Sequence, residues 1–251
     1  MSSSSGDAGG ELAERPEPSP ETPSGGSVLR RGVILGLLLL VPLQLALPQV
    51  ADPDLWWHLA AGRWIWAHGA LPAHDPFSQH GADAPWAVYS WLFELALYGL
   101  YSLGGLLLIA VAHGLATTGI ALGCLRLAHR FGRTWPETLG ATAVACLTAG
   151  AVLTPRPWLC SIAFTLVLFE LVFAARAGEG SRRLFAIPPL FALWANLHIQ
   201  FVYGLLLLAC FGLDALWERR AGRVEREYVR RLIAVGLLAG VATLLTPYHL
   251  R

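Results

Sequence analysis

Runs of apolar residues recur along most of the chain, at lengths close to that needed to cross a lipid bilayer. They cover 32–50, 87–101, 104–125, 136–153, 157–175, 184–198, 200–217 and 231–245. A helix of about 20 residues spans the hydrocarbon core, and most of the runs approach that length. The pattern therefore predicts an all-α fold, a polytopic transmembrane helix bundle.

The positions of the arginines predict which helix ends face the cytoplasm. Clusters lie at 30–31, 126–133, 176–183 and 219–231. Cytoplasmic loops are enriched in positive residues, so two consecutive clusters need an even number of crossings between them. Three apolar runs separate the first two clusters. The run 87–101 is the shortest of the three and contains Glu94, so it is predicted to lie in the outer interface. About seven spans remain, with the N-terminus in the cytoplasm.

Composition divides the chain into a tail and a membrane domain. Residues 1–29 are mainly Ser, Gly, Pro and Glu, cannot bury a core, and are interpreted as a disordered tail. Residues 30–251 form the predicted transmembrane domain, in which an outer loop at 51–103 carries the interfacial helices. The chain is 55% hydrophobic and only 14% charged, which excludes an ordinary soluble domain. A net charge of +1 gives no indication of a nucleic-acid partner, whereas membrane lipid is an expected one.

The predicted topology places the polar motifs of the chain at one face of the membrane. They are Asp52–His58, the turn at His74–Asp75, Thr154–Trp158, Asn196–His198 and Thr246–His249. The cytoplasmic loops contain mainly arginine and glutamate. The sequence therefore predicts that any chemistry occurs on the outer face.

The motif at Asp52 allows two interpretations. Asp52, Pro53 and Asp54 are residue types that begin many helices, so helix capping alone explains them. Alternatively, Asp54 and His58 are four residues apart and share a helix face, which makes Asp52, Asp54 and His58 candidate catalytic residues. Asp52 and Asp54 are also candidate ligands of a possible divalent metal, and the cofactor is otherwise unknown.

Arg156 and Trp57 are candidate substrate-binding residues of the outer loops. Arg156 stands between two prolines, and it is either an interfacial arginine that reaches lipid headgroups or a clamp for a phosphate. Trp57 belongs to a loop rich in tryptophan. It either anchors the membrane interface or offers an aromatic face to a sugar.

Four further candidates end apolar runs in the same layer. Asn196 and His198 close a short run, where they either line a cavity or make hydrogen bonds between helices. Tyr248 and His249 follow the last run. All four are predicted to contribute to substrate binding.

The order of these features resembles the GT-C-type membrane glycosyltransferases, and in particular poorly characterised bacterial members of that superfamily. The largest block that carries the resemblance is DPDLWWHLAAGRWIWAHGALPAHDPFS, from Asp52 to Ser78. The shorter blocks are RPWL at 156–159, LWANLH at 193–198 and TPYHLR at the end of the chain. The resemblance covers residues from about 30 to 251.

The resemblance implies transfer of a sugar from a polyprenyl-phosphate donor on the outer face of the bacterial inner membrane. It implies that Asp52 or Asp54 acts as a base on the acceptor or binds a metal. Arg156, with His198 and either Tyr248 or His249, would neutralise the departing phosphate. Chains of this type usually continue with more helices, so an end at Arg251 indicates a truncated form. An inactive truncated relative is therefore an alternative.

Two other function classes stay open. A transporter or lipid-binding membrane protein needs a polar path, and the inner halves of the runs offer only His113, Glu170 and Asp214. A haem or metal redox protein would use His58, His198 and His249. These histidines share no recognised ligand spacing.

Overall fold

The computed structural model describes residues 52–81, 84–132 and 134–248, together with Gly32 and Gly36. The predicted tail, most of the first apolar run and His249 lie outside these residues. Contacts divide the chain into Met1–Gly36 and Leu37–Arg251. The helices between Asp52 and Tyr248 all belong to the second unit. They are α1 (Pro53–His68), α2 (Trp91–Phe131), α3 (Trp135–Ala149), α4 (Trp158–Arg176), α5 (Ile187–Leu197), α6 (Phe201–Arg220) and α7 (Arg226–Ala242).

The all-α prediction is confirmed for the part of the chain that the structure describes, where the only β pairing is an isolated bridge between His74 and Pro85. The helices α2, α4 and α6 are long and apolar enough to cross a membrane. The helices α3, α5 and α7 have 15, 11 and 17 residues. At 1.5 Å per residue they reach about 16–26 Å, less than a hydrocarbon core of roughly 30 Å. The predicted number of about seven spans is therefore not confirmed.

Short 3-10 segments adjoin two of the shorter helices. One, at Gly150–Val152, continues α3, and the other, at Ser181–Ala186, leads into α5. A 3-10 helix rises about 2 Å per residue. Each of these helices is therefore part of a longer, nearly continuous helical segment.

The start of α1 follows the local signals in its sequence. The Asp52 carboxylate accepts a hydrogen bond from the Asp54 backbone N–H at 3.0 Å, and Pro53 occupies the first turn. Gly69 ends the helix in the left-handed conformation, with φ of 60°, which glycine adopts at little steric cost. Asp52 thus caps α1, as the residue types at 52–54 predict.

The long helix α2 consists of two segments. Its backbone is not helical at Gly104 and Gly105, and Gly105 has φ of 62° and ψ of −155°. Only glycine adopts that conformation readily. The break falls at the boundary that the sequence places between the apolar runs 87–101 and 104–125.

The main core lies among α4, α5, α6 and α7. Leu168, Phe191, Trp194 and Leu232 are each at most 1% exposed in it. A smaller cluster joins α1 to α2. Close van der Waals packing of these side chains holds the helices together, since lipid chains are as apolar as the core.

The outward faces of the helices are also apolar. Leu107 on α2, Leu213 on α6 and Leu237 on α7 are 73%, 68% and 70% exposed. A soluble protein seldom shows apolar patches this extensive, whereas hydrocarbon solvates them. Together with the three candidate spans, these faces indicate association with a membrane.

Polar contacts divide between two ends of the bundle. The first end, the Asp52 end, is defined by the contacts of Asp52, Trp91, Arg156, Asn196 and His198. The second, the arginine-rich end, is defined by the ion pairs of Arg126, Arg130, Arg176, Arg223 and Arg231. The sequence-based grouping of polar motifs thus corresponds to a grouping in space.

Two of the polar residues that a transport path would need lie at the arginine-rich end. Glu170 accepts hydrogen bonds from Arg126 and Arg130 at 2.8–3.0 Å. Asp214 pairs with Arg176. Each carboxylate is therefore held by arginine.

Candidate functional site

Asp52, Asp54 and Arg156 form one ion-pair cluster at the Asp52 end. The Arg156 guanidinium donates from Nε and Nη2 to the two oxygens of Asp52, at 2.7 and 2.6 Å. Its Nη1 lies 2.6 Å from Oδ2 of Asp54. The side chain of Asp52 is 6% exposed, whereas that of Asp54 is 50% exposed. Asp52 is therefore the buried anchor of the cluster, and Asp54 is its accessible carboxylate.

The cluster keeps its charges near neutral pH. The hydrogen bonds from Arg156 hold the pKa of Asp52 below its usual range, although burial acts in the opposite direction. The same bonds raise the pKa of Arg156. Two carboxylates and one guanidinium therefore leave the cluster with one excess negative charge.

The donor set at Asp52 and Asp54 does not fit a bound metal ion. Both oxygens of Asp52 are engaged by Arg156, and a metal cation would be repelled by the guanidinium. Among the residues that the structure describes, no group of three or more His, Cys, Asp or Glu side chains is arranged to hold a metal. The site therefore consists of an arginine held by two carboxylates.

His58 and Glu94 form a second polar pair beside this cluster. His58 Nδ1 lies 3.0 Å from Oε1 of Glu94, and the two side chains are 12% and 3% exposed. Oε2 of Glu94 is buried and has no hydrogen-bond partner in the described structure. A carboxylate behind a histidine fixes the orientation of the ring, as in acid–base sites.

The role of Glu94 was missed from the sequence. In the sequence, Glu94 is only a polar residue that argues against a span at 87–101. Its partner is 36 residues away, on another helix. The one signal in the sequence is the polar residue at position 94 within an apolar run. This signal does not identify His58 as its partner.

His198 occupies the turn between α5 and α6, beyond the ends of the candidate spans. Its Nδ1 lies 2.8 Å from the hydroxyl of Ser161, which also accepts a hydrogen bond from the indole of Trp194 at 2.8 Å. Burial and, to a smaller extent, the charge of His58 together lower the pKa of His198 to about 4. His198 is therefore neutral at physiological pH and lies close to the His58–Glu94 pair.

Asn196 and Tyr248 join distant segments of the chain at the Asp52 end. The Trp91 indole donates to the Asn196 amide oxygen at 2.9 Å, and the Asn196 amide donates to the Leu245 carbonyl at 2.8 Å. The Tyr248 hydroxyl accepts from the Val88 backbone N–H at 2.8 Å. These two predicted binding residues thus make hydrogen bonds between segments, which was the alternative interpretation of Asn196.

Trp57 belongs to an aromatic cluster on the solvent side of α1. Its ring centroid is 5.0 Å from that of Trp86 and 6.1 Å from that of Phe77. It is 40% exposed. The loop that carries Phe77 is closed by Asp75, whose carboxylate accepts the Phe77 backbone N–H at 2.9 Å, as expected of an aspartate that initiates a turn.

The structure thus assembles most of the predicted site residues in one region. Asp52, Asp54 and Arg156 are in direct contact, and the charge of His58 acts on His198. Comparison with family models, with curated proteins and with solved structures finds no match to this chain. The function is therefore argued from the site itself.

Proposed function

We propose that this chain is an integral protein of the bacterial inner membrane that transfers a sugar from a polyprenyl-phosphate donor to an acceptor hydroxyl on the outer face. The observation that carries the proposal is the cluster in which accessible Asp54 and Arg156 lie beside the His58–Glu94 pair. It combines candidate bases with a cation suited to phosphate, the two groups that such a transfer needs.

The helix lengths support a topology of about seven spans with a cytoplasmic N-terminus. Adding the 3-10 segments brings α3 and α5 to about 28 Å each, near the roughly 30 Å of the hydrocarbon core. The first apolar run would supply the remaining span. The arginine-rich end then faces the cytoplasm, in keeping with the positive-inside rule, and the Asp52 end faces outward.

Asp54 is proposed as the base, since it is the accessible carboxylate of the cluster. It takes the proton of the acceptor hydroxyl as that oxygen bonds to the anomeric carbon of the sugar. The bond between the anomeric carbon and the phosphate oxygen breaks, and its electron pair leaves with the polyprenyl phosphate. His58, held by Glu94, lies one helical turn from Asp54 and is proposed to orient the acceptor.

Arg156 is proposed to stabilise the departing phosphate. Three of its five N–H groups face Asp52 and Asp54, which leaves two for a ligand. The guanidinium side chain is 34% exposed and can be reached from outside. Asp52 fixes its position, so the cation needs no rearrangement as negative charge develops on the leaving group.

Mass spectrometry of the lipids that co-purify with the full chain from native membranes tests this proposal. A polyprenyl-phosphate-linked sugar should be enriched over its level in the whole membrane. Arg156→Gln should lose that enrichment. Arg63→Gln is the matched control, because Arg63 is an exposed arginine of α1 outside the cluster, and it should retain the lipid. Absence of any polyprenyl-phosphate species from the wild-type protein would reject the proposal.

A further inference from the structure

A groove at the arginine-rich end, far from the Asp52 cluster, lies between the segment Ser181–Ala186 and α7. Its volume is about 370 Å³. The residues that form it comprise three arginines, one glutamate and an apolar strip. They include Arg182, Arg230, Arg231, Glu227, Phe185 and Leu238.

The charged part of the groove has an excess of positive charge. Glu227 pairs with Arg231 at 2.7 Å and with Arg230 at 3.2 Å. Arg182 is exposed and has no carboxylate partner within the described chain. Three guanidinium groups against one carboxylate leave two positive charges, and the Arg230 side chain is 76% exposed. The groove is therefore complementary to an anionic group.

The apolar part continues directly from the charged part. Phe185 and Leu238 line the same groove and are 58% and 52% exposed. Ala234 and Leu238 follow Arg230 at intervals of four residues, so they share its face of α7. Along this face of α7, exposed Arg230 is thus followed by exposed apolar residues, and Arg182 and Phe185 repeat the pairing across the groove.

We propose that this groove binds an anionic phospholipid. The phosphate of the headgroup lies against Arg182 and Arg230, and one acyl chain covers Phe185 and Leu238. Basic pockets at the membrane ends of helices favour anionic headgroups in this way, and arginine binds phosphate through its planar fork. The inference is independent of the proposed sugar transfer and requires only that α7 contacts the membrane.

Native mass spectrometry of the detergent-solubilised full chain, titrated with palmitoyl-oleoyl phosphatidylglycerol and with the matching phosphatidylcholine, tests the proposal. Phosphatidylglycerol should bind more tightly. The double variant R182Q/R230Q should weaken its binding about 30-fold, at about 1 kcal/mol per arginine. R219Q/R220Q removes two exposed arginines from the last turn of α6, outside the groove. This control should bind as the wild type does.

Two further measurements distinguish lipid binding in the groove from nonspecific electrostatic attraction of the lipid to the protein. Glu227→Gln should tighten phosphatidylglycerol binding about fivefold, because it removes the one negative charge. A misfolded variant would not gain affinity. Dihexanoyl phosphatidylglycerol should bind more weakly than the long-chain lipid, since its chains leave the apolar strip uncovered. Equal losses in R182Q/R230Q and R219Q/R220Q, or weaker binding by Glu227→Gln, would overturn the proposal.

Discussion

Gly62 of α1 lies directly against the backbone carbonyl of Glu94 on α2. A Cβ atom at position 62 would be 2.1 Å from that oxygen and 2.8 Å from Cβ of Tyr98. Glycine therefore permits the close approach of the two helices. That approach places His58, one turn earlier on α1, within hydrogen-bonding distance of the Glu94 carboxylate.

Gly62→Ala should displace α1 from α2 and break the His58–Glu94 hydrogen bond. The new methyl group meets backbone, which cannot move aside as a side chain does, so we expect a loss of stability of about 1–3 kcal/mol. Thermal unfolding of the solubilised protein measures it. Gly99→Ala is the matched control, since a Cβ there meets nothing within 4 Å and alanine favours the helix. Equal behaviour of the two variants would contradict the close contact.

Asp52 and Asp54 should differ in their contributions to stability. Asp52→Ala removes the helix cap and leaves Arg156 without its bidentate partner. We expect a loss of about 3 kcal/mol, at the low end for breaking a buried pair because Arg156 is partly exposed. Asp54→Asn breaks only a half-exposed ion pair and should cost less than about 1 kcal/mol. Denaturation of both variants in the same detergent compares them.

Asp54 should contribute more to activity than to stability. If Asp54 is the base, Asp54→Asn should lower transfer by about 100-fold or more while the protein stays folded. Glu94→Gln should lower it less, because Glu94 acts through His58. The measurement is sugar transfer from the lipid that co-purifies with the chain. Full activity of Asp54→Asn would remove Asp54 from the mechanism.

The Asp52–Arg156 pair should make the protein sensitive to strong acid. Arg156 holds the pKa of folded Asp52 below its ordinary value of 3.8. The stabilisation is therefore fully present above that value, and it is lost as the pH falls through the lower pKa of the folded state. Unfolding temperatures measured from pH 6 down to pH 3 should fall less steeply for Asp52→Asn than for the wild type.

His198 should act in a different pH range. Its pKa falls from 6.5 in the unfolded chain to about 4 in the folded protein, so the folded state binds fewer protons between these values. Stability should decrease as the pH falls from about 6.5 to 4, by on the order of 3 kcal/mol, and should not change further through this residue. His198→Gln should flatten this part of the pH profile. An unchanged profile would show that His198 is accessible to protons in the folded state.

The features that could be predicted from the sequence are those encoded by near neighbours. The start of α1 at Asp52 and the break near Gly104 follow from residues within one helical turn. The arginine clusters also grouped the polar motifs as the contacts do, because charge distribution in a membrane protein is set by the bilayer and not by packing.

The contacts across the site could not be predicted in the same way. Arg156 is 104 residues from Asp52 in sequence. Its sequence position therefore predicts a phosphate or lipid headgroup as its ligand and does not indicate a carboxylate partner. The metal hypothesis for Asp52 and Asp54 did not include this arginine, because it comes from a distant loop. Glu94 lacked a predicted partner because helix packing alone brings it to His58.

The break in α2 determines how far Glu94 lies from the arginine-rich end of the same helix. From Leu106 to Phe131 the second segment of α2 is about 39 Å long at 1.5 Å per residue, longer than a hydrocarbon core of roughly 30 Å. The first segment leaves it at Gly105 and carries Glu94. The length of the second segment therefore sets the distance of the His58–Glu94 pair from the arginine-rich end. One additional turn in the second segment would move the pair about 5 Å further from that end without altering either residue of the pair.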